Sequence, residues 1–339
     1  MAVNVVSTIS GRCKKCYSCI RNCPAKAIKV IDGQAMVVPE LCIGCGHCVE
    51  VCSQNAKRIL SGKEGAREAI QNGKAVACLA PSFVVPFNMF DPRQIISAVK
   101  GLGFFQVWEV AFGARLVSRE YQKHLEEGSN RQFIATSCPA VVNLVEKHYP
   151  ELIDYLIPVV SPMTALGRYL KDIYGQDCQP VFIGPCIAKK DEAVNPMVKG
   201  AMDVVLTFNE LEEMFEESSI NPDDLPPSDW DSPAGGLGRL FPVAGGFLKN
   251  VGLNLDPIDY EVVKVEGKDN CLHFFDGIRN KKNNIKFADI LFCEGCLSGP
   301  ALKSPLNRLE REQLVAQYTK EDMADCKDIE DLPEELNLS

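Results

Sequence analysis

Two cysteine-rich segments near the N-terminus repeat one spacing. Residues 13–26 read CKKCYSCIRNCPAK and residues 42–55 read CIGCGHCVEVCSQN, so the pattern C-x2-C-x2-C-x3-C occurs twice. Loops of this spacing wrap three thiolates around one face of a [4Fe–4S] cubane, while the fourth cysteine reaches the neighbouring cluster. The repeat therefore predicts two [4Fe–4S] clusters with exchanged fourth ligands. The first ligand set is Cys13, Cys16, Cys19 and Cys52, and the second is Cys42, Cys45, Cys48 and Cys23.

Two zinc knuckles are the alternative interpretation of these cysteines, because thiolates at short spacings also bind zinc. The doubled four-cysteine spacing favours clusters over zinc. The segment resembles a bacterial two-cluster ferredoxin, although Ser53 stands where a proline usually follows the fourth cysteine. We therefore expect residues 1–62 to form a small α+β ferredoxin-like domain that transfers electrons for the rest of the chain.

A further cysteine pair lies in LFCEGCLSGP, residues 291–300. A C-x-x-C pair occurs in redox dithiols, zinc sites and iron–sulfur clusters alike, so its chemistry depends on what the fold brings to meet it. The chain has sixteen cysteines but only four histidines, so its metal ligands are expected to be thiolates.

The composition narrows the class of protein. The chain has 339 residues, of which 46% are hydrophobic and 24% charged, as is typical of a soluble globular protein of two or three domains. A net charge of −9 argues against a nucleic-acid surface, which needs clustered Lys and Arg. The N-terminal residues lack the features of a signal peptide, and no stretch approaches the roughly 18 apolar residues of a membrane helix. We expect a cytoplasmic protein, because thiols there bind metals rather than form disulfides.

After the ferredoxin-like segment, short apolar runs alternate with amphipathic ones. Such alternation predicts parallel sheets flanked by helices, here as a two-lobed α/β domain over 63–318 with a lobe boundary near 150–160. Thr207 and Glu210 predict a capping box at the start of a helix. Residues 319–339 are strongly acidic and predict a solvated tail or linker. Strands are predicted at 74–80, 104–112, 131–137, 180–185, 203–208 and 288–292.

Cysteines follow three of these predicted strands. Cys138, Cys186 and Cys293 each come directly after a strand, and Cys296 lies three residues further on. Ligands of parallel sheets gather at the carboxyl ends of the strands, so these four thiolates are predicted to meet and hold a third [4Fe–4S] cluster. The alternative is that cysteines of the large domain are buried structural thiols. We expect that role for Cys78, Cys178, Cys271 and Cys326.

The same segments resemble a known family. ATSCPAVV, GPCIAKKDEA and FCEGCLSGP are similar, in order, to the three signature segments of [FeFe]-hydrogenases. APS at 80–82 and GLGRLFPVAGG at 236–246 resemble two further segments that line the pocket of that family. The resemblance covers nearly all of residues 1–318. It implies the hydrogenase fold, with H2 and protons as reactants and a ferredoxin-like electron donor or acceptor as partner.

The resemblance also implies roles for individual residues. The third cubane would be bridged through Cys296 to a diiron unit that carries CO and cyanide, the two together forming an H-cluster. Lys189 and Ser82 would donate hydrogen bonds to the cyanides, because buried anionic ligands need donors to offset their desolvation. Pro81 and Met163 would line the same pocket. The alternative for Lys189 is an ordinary surface lysine on a helix.

Several positions depart from the family pattern. Ser137 stands where the family has a cysteine that relays protons, and a hydroxyl is a far weaker acid than a thiol. Glu120 matches the first relay carboxylate, whereas Ile157 and Lys123 cannot replace the serine and glutamate expected further out. The third segment has two residues between its cysteines where the family normally has three. These departures resemble the sensory branch of the family, whose members often carry a signalling domain.

The preferred interpretation is an [FeFe]-hydrogenase-like protein of sensory type. It would interconvert H2 with protons and electrons slowly, with the redox state of the cluster as a candidate output to a signalling domain or protein. The rival is an iron–sulfur electron-transfer or assembly protein, such as the Narf-like proteins, that keeps the fold without the diiron unit. The shortened third segment favours the rival, whereas Lys189, Ser82 and Pro81 favour the hydrogenase. A zinc-ribbon interaction module is a third alternative, but it leaves the ferredoxin-like repeat unexplained.

Overall fold

The computed structural model describes residues 4–127, 131–256, 258, 260–279, 285–322 and 336–338. The N-terminal domain consists of two antiparallel strand pairs, β1 with β4 and β2 with β3, and two short helices. The strands are β1 (Val6–Thr8), β2 (Ile28–Ile31), β3 (Gln34–Val37) and β4 (Lys57–Ile59), and the helices are α1 (Ser18–Arg21) and α2 (His47–Glu50). Cys19 lies in α1 and Cys48 in α2, so the two cysteine motifs occupy equivalent places in the domain.

A four-stranded parallel sheet forms the first half of the large domain, in the order β6-β5-β8-β9. Its central strand β5 is fully buried, which explains its uninterrupted apolar sequence. The strands are β5 (Ala75–Leu79), β6 (Gln106–Glu109), β8 (Gln179–Gly184) and β9 (Val204–Thr207). The helices connected to them are α3 (Lys63–Gln71), α4 (Pro92–Gly101), α5 (Val110–Glu127), α7 (Pro162–Tyr174), α8 (Lys189–Glu192) and α9 (Phe208–Glu217). The predicted capping box is present at the start of α9, where Thr207 and Glu210 bond each other's backbone N–H groups.

A three-stranded parallel sheet forms the second half, in the order β10-β11-β7. Its strands are β7 (Phe133–Ile134), β10 (Val262–Glu266) and β11 (Phe287–Leu291). The helices that follow in this half are α6 (Pro139–His148), α10 (Gly246–Asn250), α11 (Lys268–Arg279) and α12 (Arg308–Asp322). Parallel sheets flanked by helices, beside a small α+β domain, confirm the predicted fold class.

Some element boundaries differ from those predicted. The strand predicted at 104–112 ends at Glu109, and α5 begins at the next residue. A short apolar run is compatible with a buried helix as well as with a strand. The helical periodicity of the residues that follow shows that the second part of this run belongs to the helix. Strand β10 was not predicted, because it is a half-buried strand whose Lys264 faces solvent. Each sheet contains strands from both sides of 150–160, so the predicted lobe boundary does not separate the two sheets.

The N-terminal domain packs directly on the large domain. One apolar cluster contains residues of both, including Ile43 from the first and Val141 and Leu144 of α6 from the second. Polar contacts add to this packing: Lys147 donates to the carbonyl of Cys42 (2.6 Å), and the His148 ring bonds the carbonyl of Leu41 (2.9 Å). The loop that carries the second cysteine motif is therefore held against α6.

The predicted acidic tail lies mostly outside the described residues. Helix α12 extends to Asp322, and the next described residues are 336–338. There Leu338 is buried, and its carbonyl accepts a hydrogen bond from the backbone N–H of Val160 (2.8 Å). The tip of the chain thus adds to the core close to the start of α7.

A candidate iron–sulfur centre at the strand ends

The four strand-end cysteines come together in one cavity. Cys138 caps α6 just after β7, Cys186 follows β8, and Cys293 and Cys296 follow β11. All four line one mainly apolar cavity. Because β8 belongs to one sheet and β7 and β11 to the other, this cavity lies where the carboxyl ends of the two parallel sheets meet.

Local backbone geometry positions the last two cysteines. Gly295, between them, has a φ of +69°, a conformation that side chains rarely adopt. A Cβ at this residue would lie 2.8 Å from the carbonyl oxygen of Pro242, and the N–H of Cys296 donates to that same oxygen (2.9 Å). The C-x-x-C turn is therefore fixed against the 236–246 segment, one of the two further segments singled out in the sequence.

The electrostatics of the cavity favour a bound cationic group. Burial raises the pKa of all four thiols, to about 11 for Cys186, and repulsion by neighbouring thiolates adds to the effect at Cys186, Cys293 and Cys296. The positive charge of Lys189 acts in the opposite direction, toward a lower pKa of Cys138, Cys186 and Cys296. One lysine cannot balance four buried thiolates, whereas the iron of a cluster supplies the missing positive charge. The donor set therefore fits a [4Fe–4S] cluster.

Lys189 and Ser82 are both buried, and Lys189 acts electrostatically on the cysteines of the cavity. The Lys189 ammonium donates to Ser161 Oγ (2.7 Å) and to Glu192 Oε2 (2.6 Å), so it is part of a polar network rather than a surface lysine. Ser82 lies in a 3-10 turn after β5, and its hydroxyl has no hydrogen-bond partner among the described residues. A buried donor without an acceptor fits a site whose acceptor belongs to a bound group. Pro81 and Met163 are buried as well.

The predicted proton-relay positions do not form a continuous polar chain. Ser137 Oγ is buried, and Ile157 is 1% exposed. Glu120, on α5, instead bonds Lys123 (3.1 Å) and lies 3.9 Å from His124. The structure thus leaves apolar Ile157 along the route that the resemblance implied.

Sequence reasoning assigned no role to other polar groups near the cavity, although the pattern Pro185-Cys186-x-x-Lys189-x-x-Glu192 is part of the resemblance to the family. Glu192 accepts from Lys189, Ser161 and Thr164, which joins α8 to the start of α7. Its spacing of three residues from Lys189 was a usable signal, because such pairs meet on a helix. Asp289 of β11 was also given no role. Burial raises its pKa to about 7, although a hydrogen bond from the Gly245 N–H acts to lower it.

Electrostatic interactions relate the N-terminal cysteines to one another. Burial raises the pKa of Cys19, Cys45 and Cys48. Charge on Cys52 and Cys13 adds to this at Cys19, charge on Cys23 and Cys42 adds to it at Cys45 and Cys48, and Cys19 also acts on Cys48. The backbone N–H of Ala27 bonds Cys23 Sγ and that of Ala56 bonds Cys52 Sγ, both at 3.3 Å, so the two motifs share one local geometry. The exchanged ligand sets stay a prediction, which the interactions of Cys52 with Cys19 and of Cys23 with Cys45 support.

The second of these groups adjoins the large domain. Gly44 and Cys45 line the cavity of the four strand-end cysteines, and Cys45 acts electrostatically on Cys293. Cys16, in the first group, is exposed to solvent. The three cysteine groups thus run in order from the surface to the buried cavity.

The remaining described cysteines are not among the predicted ligands, although Cys271 lies close enough to Cys138 for the two thiols to interact electrostatically. Cys78, Cys178 and Cys271 are buried, and Cys271 Sγ bonds the carbonyl of Leu291 (3.7 Å). Cys326 lies outside the described residues. Within the part of the chain that the structure describes, no helix combines the length and apolar character needed to span a bilayer.

Comparison with known proteins identifies the family. A family model for 4Fe-4S dicluster domains matches residues 6–53, and one for the C-terminal domain of the iron-only hydrogenase large subunit matches residues 73–300. The chain belongs to the iron-only hydrogenase family. The dicluster match favours iron–sulfur clusters over zinc in the N-terminal domain.

The curated relatives include both hydrogenases and assembly factors. The periplasmic [Fe] hydrogenase large subunit of Nitratidesulfovibrio vulgaris is 25% identical, covering 91% of this chain and 89% of its own. Iron hydrogenase 1 of Clostridium pasteurianum is 28% identical over 62% of this chain and 41% of its own. The cytosolic Fe-S cluster assembly factor NAR1 of Vanderwaltozyma polyspora is 24% identical over 60% of this chain and 43% of its own. The chain thus spans less than half the length of the last two relatives.

Solved structures support the fold. The [FeFe]-hydrogenase HydA1 of Chlamydomonas reinhardtii, in a variant form, matches with a TM-score of 0.62 at 21% identity, over 81% of this chain and 92% of its own. The [FeFe]-hydrogenase HydA(deltaEFG), described for stepwise H-cluster assembly, matches with a TM-score of 0.64 at 20% identity and the same coverage. At these identities the likeness shows the iron-only hydrogenase fold alone.

Proposed function

We propose that this chain is an [FeFe]-hydrogenase of the sensory type that interconverts H2 with protons and electrons at a low rate. The observation that carries the proposal is the cavity at the strand ends. Four cysteines line this cavity, the buried Lys189 acts electrostatically on three of them, and the hydroxyl of Ser82, after β5, is buried without a partner among the described residues; a plain cubane has no need of the last two.

In this proposal each group of the cavity has a role. Cys138, Cys186, Cys293 and Cys296 would hold a third [4Fe–4S] cluster, and Cys296 is the thiolate that would connect it to a diiron unit with CO and cyanide ligands. That unit, when bound, would supply the chemistry of heterolytic H2 cleavage. Ser82 and Lys189 would donate hydrogen bonds to its cyanides, and Glu192 and Ser161 hold the Lys189 ammonium in place. The buried Pro81 and Met163 would line its pocket.

Electrons pass between this cavity and the surface through the N-terminal domain. Cys42, Cys45, Cys48 and Cys23 hold the inner cluster of that domain, and Cys13, Cys16, Cys19 and Cys52 hold the outer one. The exposure of Cys16 and the position of Cys45 against the cavity support this order. A ferredoxin-like protein of the cytoplasm is the electron donor or acceptor.

The sensory assignment rests on the proton route. Ser137 replaces the relay thiol, and Ile157 places an apolar side chain further along the route. Protons then reach the cavity slowly, which suits a protein whose output is the redox state of its clusters, read by a signalling domain or protein, more than one built for turnover.

Infrared spectroscopy of the matured protein tests the proposal. We expect CO and cyanide stretching bands that shift between N2 and H2 atmospheres, since no other group of this chain has such bands. Cys296→Ala serves as control and is expected to lose the bands. The proposal is wrong if wild-type protein, matured together with an active hydrogenase as positive control, shows three cubanes by iron analysis but no such bands.

The second candidate is an iron–sulfur assembly or electron-transfer protein without a diiron unit. The two-residue spacing between Cys293 and Cys296 favours it, because shortening this loop moves the thiolate expected to bridge. The similarity to the yeast assembly factor NAR1 also favours it. Absence of CO and cyanide bands, together with transfer of iron and sulfide from this protein to an apo-ferredoxin, would establish this candidate instead.

A further inference from the structure

The charge of the chain is unevenly distributed. Residues 4–31 contain no Asp or Glu but six cations, and the remaining sequence holds 30 cations against 45 carboxylates. None of the six forms an ion pair with a carboxylate among the described residues, and all six are exposed. They are Arg12, Lys14, Lys15, Arg21, Lys26 and Lys29. An acidic protein therefore has a locally basic N-terminal region, and this region carries the first cysteine motif.

Four of these cations surround the exposed ligand Cys16. Lys14 and Lys15 lie between Cys13 and Cys16, Arg12 precedes Cys13, and Arg21 donates a hydrogen bond to the carbonyl of Cys16 (3.0 Å). We call Arg12, Lys14, Lys15 and Arg21 the basic rim. Their placement follows from the motif itself, because the residues between cluster ligands must face outward from the cluster.

An apolar area adjoins the basic rim. Tyr17, next to Cys16, is 38% exposed, and Val30 and Ile31 at the end of β2 are 50% and 52% exposed. The turn after β2 reaches the rim, since a Cβ built on Gly33 would lie 2.9 Å from the ammonium of Lys15. Exposed aromatic and aliphatic side chains beside a charged border are typical of a protein–protein interface.

This region is also the outer end of the electron-transfer chain. Cys45 adjoins the buried cavity, whereas Cys16 is exposed on the other cluster group. Electrons that enter or leave through the N-terminal domain therefore cross the surface at the basic rim. Partners that exchange electrons here must dock within a short distance of the outer cluster.

We propose that the basic rim and the adjoining Tyr17, Val30 and Ile31 form the docking face for an acidic one-electron carrier protein. The inference rests on the proposed role of the N-terminal domain in electron transfer. On docking, one electron leaves the reduced carrier and enters the oxidised outer cluster, with no bond made or broken. The unpaired cations steer an acidic protein to this face and disfavour it on the strongly acidic remainder of the surface.

Stopped-flow reduction of the bound clusters tests this inference and needs no diiron unit. A reduced, acidic two-cluster ferredoxin is mixed with oxidised protein, and the rate is followed by the bleaching of cluster absorbance at low and high salt. We expect Lys14→Gln/Lys15→Gln to lower the second-order rate constant by about tenfold at low salt, and to flatten its salt dependence. The matched control Lys199→Gln/Lys303→Gln removes two exposed cations of the large domain and should leave the rate unchanged.

Reduction by methyl viologen radical separates docking from cluster integrity. This small cation needs no docking face, so both variants should be reduced at least as fast as wild type and should retain the same iron content. Equal ferredoxin rates in wild type and Lys14→Gln/Lys15→Gln would overturn the proposal, and so would a wild type reduced by the viologen but not by ferredoxin. Tight binding of single-stranded RNA at the rim, with no effect of the variant on ferredoxin, would overturn it in favour of a nucleic-acid site.

Discussion

Lys57 of β4 provides a direct test of how the N-terminal domain sets the potentials of its clusters. Its side chain is buried, and its ammonium donates to Thr8 Oγ1 (2.8 Å) and to the Ala35 carbonyl (2.6 Å). No ion pair joins it to a carboxylate among the described residues. Backbone hydrogen bonds from Ala35 and Lys15 lower the pKa of Cys13, whereas burial raises the pKa of Cys19 and Cys48. The ammonium acts in the lowering direction on all three thiols, so its charge acts on both cysteine groups.

Replacing this cation should make both clusters harder to reduce. Ala35 accepts from Lys57 through its carbonyl and donates to Cys13 through its N–H, so the backbone of one residue separates the ammonium from the thiolate, a distance of roughly 7 Å. At that distance and an effective dielectric constant of about 20, unit charges interact by about 2 kcal/mol. For a one-electron couple this corresponds to about 90 mV. Lys57→Met is therefore expected to lower both midpoint potentials by up to that amount.

The assay is a redox titration monitored by electron paramagnetic resonance on protein of equal iron content. Lys57→Arg keeps the charge and should stay near the wild-type potentials, and Lys29→Met removes an exposed cation of the same domain as a control. If Lys57→Met gives the same potentials as Lys29→Met, the buried ammonium does not tune the clusters and the reasoning fails.

Three further predictions concern single sites. Cys52→Ala should damage the cluster otherwise held by residues 13–19, whereas loss of the other cluster's resonance signal would overturn the exchanged assignment. Ser137→Cys should raise the rate of hydrogen evolution at equal cluster loading, because a thiol of pKa near ~8.5 can donate protons at neutral pH. A wild-type protein that already evolves hydrogen as fast as ordinary hydrogenases would refute the role given to Ser137. Arg239→Met leaves Glu109 buried without its 2.7 Å partner and should cost about 3–5 kcal/mol of unfolding free energy, measured by denaturant titration. Adding Glu109→Gln should recover much of that loss, and a double variant as unstable as the single one would contradict the explanation.

Much of the fold was predictable because burial leaves a simple pattern. Strands such as β5 and β8 are buried on both faces and appear in the sequence as apolar runs. Ser82 follows β5 and Cys186 follows β8, so these runs predict where both residues lie. The capping box of α9 was also predictable from the sequence, because it depends on only two residues, three positions apart. Features of this kind can be predicted from the local sequence, without any knowledge of the tertiary structure.

The rest depended on contacts between distant segments. Ser161 and Lys189 are separated by 28 residues and meet only because α7 and α8 pack at the same end of a sheet. Buried Lys57 looks in the sequence like any surface lysine of a ferredoxin-like domain, since its acceptors come from β1 and β3. Strand β10 carries an exposed lysine in the middle, so its half-buried character does not produce an apolar run. Such features are settled by packing rather than by local sequence.

The central claim is that three distant segments assemble a third cluster site, and iron analysis tests it most directly. Full-length protein reconstituted anaerobically, before any diiron unit is added, should contain about twelve irons, four for each of three cubanes. Cys186→Ala/Cys293→Ala should contain about eight and keep the resonance signals of the N-terminal clusters. About eight irons in both proteins, with about one zinc at the strand-end cysteines of wild type, would contradict the account.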